Sequence, residues 1–228
     1  MAKLSELALR TSEITGVPVP TVREISRRLR EAGLIHTGKG GRYGGAEMTA
    51  TDAARLLIAV MITKASSAAL TGIVPLTRNY LTDLTAHSAL GKNLVPSRWG
   101  RKLALAELCR LKIGHTFEDA IVGLIASMSN LNFETILPKW GSCTVHIEVS
   151  DPVPDPRALV RVDTTNFGTF TLYFFPRRLA QTLQSEPSKN WSDIRTDSRF
   201  DLRARASITA STLKYIGLAL RKYEHLDA

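Results

Sequence analysis

The sequence predicts an α+β protein with a mainly helical first two-thirds and a small antiparallel-sheet α+β unit at the C-terminus. Three observations lead there. Apolar residues recur at three- and four-residue steps up to about residue 128, they alternate at every second position after Pro138, and glycines and prolines punctuate both patterns. The 228 residues suffice for one large domain or two small ones. With 44% hydrophobic and 22% charged residues, the composition is that of a globular chain.

Residues 3–15 carry Leu4, Leu7, Ala8 and Ile14 at mostly helical spacing, and Gly16 is the expected stop before a Val17-Pro18-Val19-Pro20 turn. Pro20 suits the first turn of a second helix, whose apolar stripe is Val22, Ile25, Leu29 and Ala32. Gly33 ends that helix, Leu34 and Ile35 tuck back toward the core, and residues 46–49 are expected to return as a short strand. Thr51 and Asp52 read as the cap and first turn of a helix running to about Thr63, apolar almost all round and therefore central. Further helices are expected at residues 76–85, 101–112 and 117–128, the last capped by Thr116.

After Pro138, Val145, Ile147 and Val149 alternate with Thr144, His146 and Glu148, the pattern of a half-buried strand at residues 144–150. Residues 158–164 and 169–175 read as a hairpin turning through Thr165-Asn166-Phe167-Gly168 and ended by Pro176. A short helix at residues 179–185, a strand at 202–208 and a closing helix at 211–222 complete the expectation. The chain is thus divided into residues 1–63, a helical region at 64–138 and the sheet unit at 139–228.

The net charge of +9 and pI near 9.8 suit a polyanionic partner, and the excess is uneven. Residues 1–46 hold eight Lys and Arg against four Asp and Glu, and residues 91–113 hold six against one. In the first block, Arg23, Arg27 and Arg30 fall at i, i+4 and i+7 and share a face opposite much of the apolar stripe. Arg28 flanks that face, and Thr21 sits where a hydroxyl and free backbone amides can receive a phosphate. Arginines so placed suit bidentate contact with guanine in a major groove. Gly38, Gly40, Gly41, Gly44 and Gly45 then let the chain turn tightly, with Lys39, Arg42 and Tyr43 at the tip. The order helix, turn, basic helix and glycine-rich basic hairpin describes a helix-turn-helix with a wing. Taken singly, the arginines also describe a solvated helix face, and the glycines a linker.

In "SEITGVPVPTVREISRRLREAGLI" and "TGKGGRYGGAEMTATDAARLLIAV" the chain resembles the winged helix-turn-helix transcription regulators of bacteria and their phages. The likeness covers about residues 4–62 and implies DNA-contact roles for Thr21, Arg23, Arg27, Arg28, Lys39 and Arg42; Arg30 and Tyr43 join them by position. Members of that group carry a full helix ahead of the pair, which here begins almost at Met1. The support is expected from the helix near residues 51–63 or from a second subunit.

No other pattern carries chemistry as well. Lys92, Arg98, Arg101 and Lys102 with Trp99 could add phosphate or stacking contacts, although such a tryptophan is more often a packing anchor. The five histidines, His36, His87, His115, His146 and His225, lack metal-ligand spacing. "GKGG" lacks the remaining residues of a phosphate-binding loop, Cys109 reads as core, and Ser142-Cys143 is too little for a nucleophile. Two distant cysteines support neither a disulfide framework nor a zinc ribbon, and a reduced cytoplasmic setting is expected. The N-terminus lacks the apolar core of a signal peptide, and the most apolar run, residues 56–62, is too short to span a bilayer.

The expected function is therefore that of a sequence-specific double-stranded DNA-binding transcriptional regulator, with no enzymatic activity, catalytic residue, cofactor, metal or membrane association. "FGTFTLYFFP" reads as sheet core or as a dimer face, so a homo-oligomer is expected, with the C-terminal unit serving self-association or another protein partner. The alternative is a phage DNA-packaging or replication factor that assembles on DNA. An enzyme with a site hidden in the C-terminal unit is the third reading, which no constellation supports.

Overall fold

A computed structural model describes residues 3–37, 47–65, 70–87, 107, 110–112, 114–130, 141, 143–150, 156–166, 168–178, 204–209 and 216. The expected helices at 179–185 and 211–222, apart from Ile216, lie outside these residues, as does most of the expected helix at 101–112.

Among the described residues the full helices are α1 (Leu4–Thr15), α2 (Val19–Glu31), α3 (Ala50–Ala65), a 3-10 turn at Leu70–Gly72, α4 (Ile73–Thr82) and α5 (Phe117–Asn130). The strands β1 (Leu84–His87), β2 (Cys143–Val149), β3 (Ala158–Thr164), β4 (Gly168–Pro176) and β5 (Ala204–Thr209) form one antiparallel sheet in the order β1-β4-β3-β2-β5. Mixed helix and antiparallel sheet is therefore the architecture.

The centre is α3. Its residues from Ala53 to Ala54 and Leu56 to Ile62 are at most 1% exposed, because α1, α2, α4, α5 and the sheet strands β2 and β5 surround it. A helix apolar all round has no solvent side to offer, and each buried Leu or Ile contributes about 1.5–3 kcal/mol. The same buried cluster takes in Val145, Ile147 and Val149 of β2, Val160 and Val162 of β3, Phe174 of β4 and Ile216. Their alternate neighbours His146, Arg161 and Asp163 lie on the other face of the sheet, directly paired or one step diagonal.

Three local readings are corrected. The helix expected at residues 76–85 is α4, which starts earlier, at Ile73, and stops at Thr82. Pro75 falls in its first turn, where a missing amide costs no helical bond. Leu84–His87 is then a strand against β4, with Leu84 opposite Pro176 and His87 opposite Tyr173. Four residues carry too little periodicity to separate helix from strand, and the open edge of β4 decides between them.

Secondly, α3 is capped by Thr49 rather than Thr51. The Thr49 amide and hydroxyl both donate to Asp52 Oδ2 at 2.8 Å, and the Asp52 amide donates back to Thr49 Oγ1 at 3.2 Å, a reciprocal capping box. Thirdly, residues 47–49 are not a strand, since they lead straight into that cap. The Thr116 cap of α5 has the expected form, with Asp119 as its reciprocal partner.

Candidate nucleic-acid interface

The first two helices are joined by three residues. Gly16 takes φ 70°, a left-handed value open to glycine, and its amide closes α1 on Ser12 O at 2.8 Å. Lys64 Nζ from α3 donates to Thr15 O at 2.9 Å, placing a cation on the carbonyl end of α1. The support expected for this pair is thus present in α3, which packs on both α1 and α2.

The other end of α2 explains why Ala32, Gly33, Leu34 and Ile35 follow its arginines. Gly33 takes φ 71°, and the Leu34 amide reaches back five residues to Leu29 O at 2.8 Å, a Schellman stop. Leu34 and Ile35 then pack on the core. Arg55 Nη1 holds Leu34 O at 2.8 Å while its Nε pairs with Glu118 of α5 at 2.6 Å, which ties the exit of α2 to the central helix.

Between these ends α2 buries Val22, Ile25, Ser26 and Leu29 and leaves Arg23, Arg27 and Arg30 exposed. The four arginines are not equivalent. Glu24 takes Arg27 Nε at 2.9 Å and Nη2 at 2.8 Å, and also Arg28 Nε at 2.7 Å. Arg27 Nη1 pairs in addition with Glu31. The bonds from Arg27, against a smaller desolvation penalty, hold the Glu24 carboxyl down to about 2. Arg23 and Arg30 have no ion-pair partner among the described residues. They stand two turns apart, roughly 10.5 Å along the axis. The expectation of three matching arginines on one face is therefore refined to two unpaired cations on one flank, with Arg27 on the ridge drawn toward carboxylates on the other. Glu24 is absent from the expected DNA-contact residues, although its i+3 and i+4 spacing to Arg27 and Arg28 is a readable helix-pair signal.

Thr21 lies in the first turn of α2, half-buried, with no side-chain cap on that helix end. Lys39, Arg42 and Tyr43 fall at residues 38–46, outside the described residues, as do Lys92, Arg98, Trp99, Arg101 and Lys102.

The residues flanking 38–46 are described, and one carboxylate joins them. Asp52, fully buried, accepts from the His36 amide at 3.0 Å on Oδ1 and from Thr49 on Oδ2, and His36 Nδ1 lies 3.0 Å from Oδ1. Burial opposes the charge of Asp52, but the hydrogen bonds from Thr49 and His36 outweigh it and hold the carboxyl below its ordinary range. Asp52 thus ties residues 36 and 49 to each other at the N-terminus of α3.

The histidines serve separate places. His115 is buried, with Nδ1 3.0 Å from Lys112 O and its ring edge-on to Phe174; burial holds its pKa below the usual histidine value. His146 lies 3.4 Å from Asp163, which Arg161 also holds, on the outer sheet face. Among the described residues no group of three or more His, Cys, Asp and Glu could hold a metal ion, and no helix is long and apolar enough to cross a membrane. No protein-family model, no curated protein and no solved structure matches the chain.

Proposed function

We propose that the protein is a sequence-specific double-stranded DNA-binding regulator of transcription, working in the cytoplasm through an N-terminal winged helix-turn-helix. The observation that carries this reading is the flank of α2: Arg23 and Arg30 exposed, two turns apart and unpaired among the described residues, on a helix fixed by its buried opposite side. A helix held in this way can enter a major groove and offer guanidinium forks to guanine edges and phosphates. The Asp52 junction supports a wing, because it brings the two ends of the glycine-rich basic segment together beside that helix. Residues 1–63 form the DNA-binding part of this proposal. The region 64–138 links it to the sheet unit at 139–228, which serves self-association, a twofold dimer presenting two α2 helices to a palindromic site.

The test is selection of bound duplexes from a random-sequence pool at near-physiological salt, beside an Arg23→Ala/Arg30→Ala variant. The reading expects a defined motif that the variant fails to enrich. Binding without any motif would replace it with the packaging or replication role, and the absence of binding would make α2 a solvated surface.

A further inference from the structure

Resting on that DNA-binding reading, we propose that Glu24 is a specificity-determining residue of the α2 face: it holds Arg27 and Arg28 away from the phosphates of duplexes at large, leaving Arg23 and Arg30 as the cations available to any sequence. One carboxylate receives three guanidinium hydrogens, two from Arg27 and one from Arg28. A second carboxylate, Glu31, takes the remaining outer nitrogen of Arg27. The four side chains Glu24, Arg27, Arg28 and Glu31 sum to no net charge, so a helix with four arginines offers a phosphate backbone the pull of two.

Nonspecific binding is set by the number of phosphates neutralised, each contributing to the salt dependence of affinity. A carboxylate beside the face that meets DNA opposes every phosphate alike. Its cost is recovered only where Arg27 exchanges one bidentate acceptor for another, and the O6/N7 edge of guanine offers such a pair. Glu24 therefore lowers affinity for random DNA more than for a site with guanine opposite Arg27, which is specificity through a repulsive element.

The experiment compares wild type, Glu24→Gln and Glu13→Gln on a short random-sequence duplex and on the duplex selected by the wild-type protein, across about 50–200 mM salt. Glu13 pairs with Arg10 on α1 at 2.9 Å, so its variant changes the charge by the same amount and leaves Arg27 and Arg28 held. Glu24→Gln is expected to bind random duplex about fivefold more tightly, with a log–log salt slope steeper by about 1, and to narrow the gap between selected and random DNA. Glu13→Gln is expected to leave the slope and the gap close to wild type. Equal effects of the two variants, or an unchanged Glu24→Gln in a protein that does bind DNA, would overturn the proposal while leaving the DNA-binding reading intact. If neither wild type nor any variant binds a duplex, the DNA-binding reading fails and the role of Glu24 falls with it.

Discussion

Two helices of this protein begin with the same local device and use it differently. Thr49-Ala50-Thr51-Asp52 opens α3, and Thr116-Phe117-Glu118-Asp119 opens α5; in both, threonine and aspartate exchange the same reciprocal bonds. Asp119 is exposed and serves its own helix. Asp52 is fully buried and also takes the His36 amide, so it joins the start of α3 to the segment leaving α2. The difference is one of tertiary position, and it turns an ordinary cap into the fastening at the base of the proposed wing.

Removing each aspartate should separate the two roles. Asp52→Ala is expected to destabilise the fold by about 3 kcal/mol, since it removes the charged acceptor of the His36 and Thr49 amides as well as losing a cap. Asp119→Ala loses only a cap and is expected to cost about 1 kcal/mol. Denaturant midpoints at constant m-value give both numbers, and equal losses would erase the distinction. Proteolysis sharpens it further: Asp52→Ala should hasten cleavage within residues 38–46 under native conditions, whereas Asp119→Ala should leave that rate unchanged.

Acid adds a smaller effect with a definite sign. The folded-state pKa of Asp52 is lowered relative to an ordinary carboxyl near 3.9, so its charge-dependent stabilisation is present above that value and is lost as the pH falls through the lowered one. Wild type should therefore lose stability below about pH 4 more steeply than Asp52→Asn, measured by chemical denaturation at each pH. Parallel curves would show that the carboxylate charge contributes nothing beyond its shape.

How far these features can be read from sequence depends on how local they are. Gly33-Leu34-Ile35 announces a helix stop and a return to the core, and both occur, because a Schellman closure needs only a left-handed glycine and an apolar residue after it. Val145, Ile147 and Val149 announce a strand by alternation alone. By contrast, Leu84–His87 joins the sheet through a partner nearly ninety residues away, and no window of its own sequence contains β4. The link from Asp52 to His36 is hidden for the same reason: a helix start near Thr51 is legible, whereas the cap at Thr49 and the bond from His36 are not. On α2 the spacing of the arginines is plain, yet their availability depends on Glu24 and Glu31, so the cations alone, without the anions one turn away, overstate the face.

Affinity for the selected duplex tests the central claim most directly, measured for wild type, Arg23→Ala/Arg30→Ala and, as a comparison, Arg161→Ala. Arg161 is also exposed but lies on the outer face of the sheet, paired with Asp163. The account predicts that the α2 double variant loses at least thirtyfold, at about 1–3 kcal/mol for each arginine, while Arg161→Ala binds within about twofold of wild type. Equal losses from the two surfaces would contradict it, because the protein would then be binding by diffuse positive charge and not by the flank of α2.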